Sequence, residues 1–305
     1  MSVNSLLQDI DLASETDFSH TQHSWPAHLQ LELIKNHRGT RLTRNRHQGP
    51  LYVQKPFYPE GQDCAHIYLL HPPGGLVSGD RLELAVKVSE GANALVTTPG
   101  ATRIYKARPD LSLQQQQTYL QVQQNSVLEW FPMEVIVYPG ASAKVQTTVD
   151  LGVDSRFVGW EINCFGLPAS DENFLTGNFY QTYRIEQDGL PIFIDKIQFN
   201  ANNQAFYTGH AGLQSQPVSG FFIAGPFLTG PFLNSTAALI AELRQEVETI
   251  GLQANLAISQ INNFLIVRYL GVSAFSCRQG FAKLWKLLRP VLINREACEP
   301  RIWLT

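Results

Sequence analysis

The sequence predicts a mainly β fold with two α-helices in its C-terminal third. Across residues 25–200, apolar side chains alternate with polar ones, as at Leu29, Leu31 and Leu33. This period of two is typical of half-buried β-strands. Clusters of glycine, proline and asparagine separate the segments at intervals found in all-β proteins. In the last third, the apolar spacing changes to that of a helix.

The predicted strands follow one another without a fixed repeat length. Leu120 and Val122 continue the alternation, and we interpret the glutamines at 114–117 as the solvent-facing part of the same strand. Turns are expected at residues 91–93, 140–141 and 188–191. Because the spacing of these elements varies, the periodicity alone does not establish a regular solenoid.

Residues 213–241 carry no charged side chain and contain several aromatic residues. A membrane-spanning helix needs about 20 consecutive apolar residues. Pro217, Pro226 and Pro231 interrupt the stretch, each with a glycine nearby. We therefore predict short buried strands joined by Gly-Pro turns, with a helix beginning near Ser235.

The first helix is predicted to run from Ser235 to Gly251, where the glycine ends it. The apolar residues at helical spacing are Leu239, Ile240, Leu243, Val247 and Ile250. A strand is expected at residues 264–270, where seven residues include six that are apolar or aromatic.

A second helix is predicted near residues 276–289. Ser276 and Gln279 have the spacing of a capping box, and Pro290 is expected to end the helix. Its basic residues are Lys283, Lys286 and Arg289. This basic side is expected to be a solvated face or a contact with an acidic partner.

Charge, cysteine content and the N-terminal sequence argue against a nucleic-acid-binding protein and against a secreted, disulfide-bonded one. A net charge of −3 gives no reason to expect nucleic-acid binding. The 4 cysteines form no Cys-x-x-Cys pair and do not indicate a disulfide framework in a chain this long. Residues 1–20 lack the basic start and apolar stretch of a secretory signal. We expect a cytoplasmic protein with a flexible segment at 1–24 and a single β-rich domain at 25–305.

The usual catalytic and metal-binding motifs are missing from the sequence. It contains no Gly-x-Ser-x-Gly elbow, no phosphate-binding Walker loop and no His-Glu-x-x-His. Residues 63–66 place Asp63, Cys64 and His66 close together. On a strand, Cys64 and His66 would share a face while Asp63 points away, so we favour a plain strand over a metal site.

Several carboxylates lie beside apolar segments. These are Asp80, Glu83, Glu134, Glu161 and Asp195. A carboxylate buried alone among such neighbours costs free energy, so each must pair with a base, bind a cation or face water. Ion pairs with Arg103, Lys106, Arg156 or Arg184 are the structural alternative to a functional role.

Five motifs occur together in one order along the chain. They lie at residues 54–61, 71–80, 97–105, 128–134 and 138–141, and the second reads His-Pro-Pro-Gly-Gly-Leu-Val-Ser-Gly-Asp. This arrangement resembles the urease accessory protein family called UreD or UreH, over roughly residues 25–300. Ser78 departs from the family's more usual glycine at that position.

The resemblance implies stacked sheets like a distorted β-helix and a non-enzymatic role in urease maturation. Such a protein would help to insert nickel while bridging the urease apoprotein and the F-type accessory protein. The F-type protein would in turn recruit the G-type accessory GTPase. No permanently bound cofactor, membrane or nucleic acid is implied, and nickel would be present only in transit.

The resemblance also selects three site residues, because Asp80, Glu161 and Asp195 match acidic positions of the family. They are expected to serve a transient nickel passage. Isolated carboxylates suit this role because a cage of cysteine and histidine would hold the ion more tightly.

Two other hypotheses remain open at this stage. One is a structural adaptor without a metal passage, in which the three acids form ordinary ion pairs. The other is a carbohydrate-active enzyme on a β scaffold, with paired carboxylates as catalysts. In that enzyme, Trp130 and Trp160 would stack on sugar rings.

Overall fold

Two β-sheets lie face to face in the computed structural model, which describes residues 25–200, 204–227 and 232–304. Apolar side chains between the sheets form one core, and a second core lies between the larger sheet and the helices. The predicted mainly β class is therefore confirmed. The flexible segment predicted at 1–24 lies outside the described residues.

The strands fall into a seven-stranded and a ten-stranded sheet. In chain order they are β1 Pro26–Asn36, β2 Gly39–Gln48, β3 Cys64–Tyr68, β4 Gly75–Leu76, β5 Arg81–Val88, β6 Asn93–Thr97, β7 Thr102–Ile104, β8 Gln114–Val122, β9 Val127–Phe131, β10 Val135–Val137, β11 Ser142–Leu151, β12 Arg156–Phe165, β13 Asn178–Gln187, β14 Leu190–Asn200, β15 Val218–Gly225, β16 Leu256–Ile261 and β17 Phe264–Gly271. The smaller sheet has the order β14-β13-β11-β8-β5-β1-β2, and the other ten strands form the larger sheet.

Helical segments are few in the described part of the chain. The α-helices are α1 Gln204–Thr208, α2 Phe232–Thr249 and α3 Ala274–Ile293, and short 3-10 helices occupy Pro168–Ser170 and Arg301–Leu304. Helices α2 and α3 and strand β17 confirm the elements predicted for the last third. The short helix α1 was not predicted.

Successive strands wind between the two sheets in coils. The chain passes from β5 in the smaller sheet to β6 and β7 in the larger, then from β8 to β9 and β10, and then from β11 to β12. Each strand pairs in parallel with its counterpart in the next coil. This arrangement confirms the predicted stacked sheets resembling a distorted β-helix.

The coils differ in length, which explains why no repeat is visible in the sequence. Arg81 aligns with Gln115, and Gln115 aligns with Lys144, so successive coils contain different numbers of residues. Antiparallel strands end the smaller sheet on both sides, with β2 paired to β1 and β14 paired to β13.

Strand β12 is buried along nearly its whole length because it lies between both cores. Phe157 and Phe165 belong to the core between the sheets, whereas Val158 and Trp160 belong to the core beneath the helices. Alternation along a strand places Glu161 on the side of Phe157, so its carboxylate faces the space between the two sheets.

Helix α3 differs from its predicted bounds at both ends. It begins after Ser273, whose Oγ accepts a hydrogen bond from the Ser276 N–H at 3.1 Å, so Ser273 is the N-cap in place of the predicted capping box. It continues past Pro290 to Ile293. Proline removes one helical hydrogen bond, but Leu292 packs in the core and stabilises the final turn.

Arg289 was predicted to lie on a basic side of α3, but it is fully buried. Its Nε and Nη2 donate to the carboxylate of Glu129 on β9, and its Nη2 also donates to Glu60 at 2.7 Å. Trp285 Nε1 donates to the same Glu129 carboxylate at 2.6 Å. The Arg289 side chain points into the protein because Glu129 and Glu60 neutralise its positive charge there.

Replacement of Arg289 by methionine is expected to lower the free energy of unfolding by about 3–5 kcal/mol, because Glu129 would remain buried without its cation. Urea denaturation of the purified chain measures this change. The matched control is Lys283→Met, at an exposed position of the same helix, with an expected change within about 0.5 kcal/mol. Equal effects of the two substitutions would contradict this role of Arg289.

Candidate functional site

A cavity of about 280 Å³ lies between the two sheets, next to β12. Its lining includes apolar side chains such as Leu84, Val145 and Met133. The polar side chains on its wall are those of His71, Thr98, Thr102, Arg103, Gln116, Thr118 and Glu161. Glu161 is the one carboxylate among the described residues of this wall.

Glu161 is held by two hydrogen bonds from the smaller sheet. Thr147 Oγ1 on β11 donates to Glu161 Oε1, and Gln181 Nε2 on β13 donates to Glu161 Oε2. Burial nevertheless raises the pKa of Glu161 to about 7, against these two bonds, and the nearby charge of Asp195 adds to the rise. The carboxyl group therefore exchanges its proton near neutral pH.

The hydrogen-bond network around Glu161 extends from Gln181 to a second polar residue of β12, Asn163. Gln181 Oε1 accepts a hydrogen bond from Asn163 Nδ2 at 2.7 Å, and Asn163 lies two residues after Glu161 on β12. Asn163 Oδ1 is buried and has no hydrogen-bond partner within the described residues. This part of the interior thus offers an amide oxygen close to the Glu161 carboxylate.

Asp195 lies at the side of this region and forms an ion pair. Arg268 on β17 donates to both of its carboxylate oxygens, with Nη2 at 2.5 Å from Oδ1. Arg268 also lies over the ring of Phe221, which meets the ring of Tyr183 edge to face. The cation was not among those expected from the sequence, because Arg268 is distant along the chain.

Asp80 lies on the loop between β4 and β5. Its Oδ2 accepts a hydrogen bond from the Val77 N–H at 2.8 Å, which tightens the turn around Ser78. Burial raises the pKa of Asp80, against the opposing hydrogen bonds from the backbone N–H groups of Val77 and Trp25. Among the described residues, Asp80 contacts neither Glu161 nor Asp195. The three acids therefore do not form one cluster.

Thr147, Gln181 and Asn163 were missed by the sequence reasoning. The signal was present, since Thr147 lies between Val145 and Val149 on the buried face of β11. A polar side chain at an inward register position needs an internal partner. Without the pairing of β11 and β13, however, the sequence does not reveal which strand supplies it.

The arrangement offers one exchangeable carboxylate with neutral hydroxyl and amide groups around it. Within the described ranges, no group of three histidine, cysteine or acidic ligands forms around Glu161. Such a site suits weak binding of a divalent cation better than tight chelation. None of the helices that the structure describes combines the length and apolar character needed to cross a bilayer.

Fold and cavity together define a β protein of parallel coils, with an internal cavity whose mostly apolar wall includes one carboxylate. The chain belongs to the family of the UreD urease accessory protein, whose family model matches residues 26–304. The urease accessory protein UreD of Marinomonas sp. (strain MWYL1) is 44% identical over 92% of this chain and 90% of its own length. Its counterparts from Psychromonas ingrahamii and Saccharophagus degradans are 42% and 39% identical, covering 93% and 92% of this chain and 95% and 93% of their own lengths.

Replacement of Glu161 by glutamine is expected to change how stability depends on pH. The folded-state pKa of Glu161 is about 7 and its ordinary value is 4.5, so its stabilising contribution is full below about pH 4.5 and is lost as pH rises through about 7. The variant should therefore gain stability relative to the wild type across this window, by up to about 3 kcal/mol.

Urea denaturation at several pH values tests this expectation. The matched control is Glu90→Gln, which removes an exposed carboxyl group. A constant difference between wild type and Glu161→Gln from pH 4.5 to pH 8 would show that Glu161 does not titrate as described.

Proposed function

We propose that this protein is required for nickel insertion during maturation of the urease active site. Its membership of a urease accessory family supports this function. In the proposal it acts in the cytoplasm as a scaffold rather than as an enzyme. It bridges the urease apoprotein and the F-type accessory protein, and through the latter it meets the G-type accessory GTPase.

The buried carboxylate in the cavity is the observation that carries the proposed passage for nickel. Glu161 has a pKa of about 7 and lies on a wall with His71, Gln116 and Thr118. Near neutral pH the carboxyl group occurs in both its protonated and its ionised form, so a divalent cation would bind the ionised form and be released when the group takes up a proton. Nickel would be cargo here and would not remain bound.

Asp80 and Asp195 have different places in this proposal. Asp195 pairs with Arg268, so a passing cation would have to compete with a guanidinium that is already in contact. Asp80 is held by a backbone N–H in its own loop. Glu161 is therefore the principal ligand of the proposed passage, with Asp80 and Asp195 as secondary positions.

A carbohydrate-active enzyme with paired carboxylates is not favoured. Retaining and inverting mechanisms need a second carboxylate about 5–10 Å from the first and facing the same substrate. The cavity wall supplies only Glu161 among the described residues. Trp160, a proposed sugar platform, is buried beneath the helices, where its ring stacks on Phe131.

Deletion of the gene is expected to yield nickel-poor urease, and restoration of the gene should recover the metal. The nickel content of purified urease, measured by atomic emission, is the test. Fully loaded urease from the deletion strain would contradict a role in nickel insertion.

Replacement of Glu161 by alanine is expected to slow nickel loading at least about tenfold, because the principal ligand of the passage is lost. The control is Glu90→Ala, and co-purification with urease verifies that the complex still assembles. A triple variant at Asp80, Glu161 and Asp195 extends the test. Normal loading in an assembled triple variant would favour the structural adaptor over the passage.

A further inference from the structure

A second group of potential ligands lies away from the cavity, at the start of β3. The carboxylate of Glu60, the thiol of Cys64 and the imidazole of His66 place one ligand atom each within 4.8 Å of one another. Cys64 and His66 share a face of β3, as expected from the sequence. Glu60 replaces Asp63 as the carboxylate of the group, because Asp63 pairs instead with Lys35.

This group is almost fully enclosed. Cys64 and His66 are buried, while 12% of the Glu60 side chain is exposed. His66 Nε2 lies 2.7 Å from Glu60 Oε1, and His66 Nδ1 has no partner within the described residues. The ring is therefore anchored through Nε2 alone, and Nδ1 is available to carry the ring proton.

The neighbouring charges balance one another, because Arg289 and Arg295 lie beside Glu60 and Glu129, so ionisation of Cys64 would supply the negative charge that offsets a cation. Arg289 binds Glu60, but it also has the complete carboxylate of Glu129 as its counter-ion. Arg295 is more distant, with Nη1 at 3.7 Å from Glu60 Oε2. Burial opposes ionisation of Glu60, yet hydrogen bonds from His66 and Arg289 lower its pKa to about 2, so it is a carboxylate at neutral pH.

Cys64 is a thiol in the metal-free protein. Burial raises its pKa well above the usual value, and the negative charges of Glu129 and Glu60 add to the rise, against the opposing Arg289 and Arg295. A divalent cation bound to the sulfur favours the thiolate over the thiol, because its positive charge stabilises the thiolate directly.

We propose that Glu60, Cys64 and His66 form a binding site for a divalent transition-metal ion of borderline softness. Thiolate, imidazole and carboxylate together are the donor set of zinc, cobalt and nickel, whereas magnesium and calcium prefer oxygen alone. The ion takes the place of the Nε2 proton between His66 and Glu60, this proton is taken up at His66 Nδ1, and the Cys64 proton leaves to solvent as the sulfur–metal bond forms. This site does not depend on the proposed passage at Glu161.

Cobalt is the probe, because a thiolate bound to Co²⁺ gives a charge-transfer band in the near ultraviolet. Titration of the purified full-length chain with Co²⁺ alone is expected to produce this band, with release of one proton per ion. Zn²⁺ should abolish it, and excess Mg²⁺ should not. The order in which Zn²⁺ and Ni²⁺ displace Co²⁺ identifies the preferred ion.

The variants assign the band to particular atoms. Cys64→Ser should abolish it, and His66→Gln should weaken Co²⁺ binding at least about tenfold. Cys277→Ser is the matched control, since Cys277 is also a buried free cysteine, and it should leave the band unchanged. Glu161→Gln should also retain it, which separates this site from the passage.

Absence of the band in the wild-type chain, or its persistence in Cys64→Ser, would overturn the proposal. Near-ultraviolet circular dichroism shows whether each variant is folded. If Cys64→Ser does not fold, Glu60→Gln serves in its place, because its side chain is partly exposed and nearly the same shape. Unchanged Co²⁺ affinity in Glu60→Gln and His66→Gln together would equally reject the site.

Discussion

The buried charge of Arg289 is the constraint on which the packing of the helical layer depends. Its guanidinium lies between Glu129 on β9 and Glu60 in the turn before β3, while its own helix covers the larger sheet. Removing a guanidinium from water is costly unless each N–H finds an acceptor. The two carboxylates therefore fix where α3 lies over the sheet, and with it the position of Trp285 against Phe131.

Between the two sheets, a buried carboxyl group is stabilised by neutral hydrogen-bond donors and not by a cation. Glu161 faces this interior because β12 alternates between two cores, and no cation contacts its carboxylate among the described residues. Hydroxyl and amide donors from β11 and β13 support it instead. A buried carboxyl group that accepts hydrogen bonds only from neutral donors has a raised pKa. Glu161 can therefore gain or lose a proton near neutral pH.

Local patterns in the sequence predict the strands and helices well, because burial of one face imposes a visible period, as in β5. The same reasoning fails where both faces are buried, as in β12, or where packing overrides a local rule, as at Pro290. It also fails for contacts between distant residues, since Glu60 and Glu129 lie 229 and 160 residues from Arg289. Glu161 was selected as a site residue by the resemblance alone, and its partners depend on strand pairing.

The exposed edge of the smaller sheet has a consequence for how the molecule behaves in a crowded solution. A β-helix with open ends can add strands from other copies and grow into a fibre. Here β2 runs antiparallel to its neighbour, so the parallel winding cannot continue beyond it. The exposed side chains of Arg44 and Arg46 on this strand repel the same strand of another copy. At this edge, the antiparallel strand and its positive charges oppose the addition of a strand from another copy.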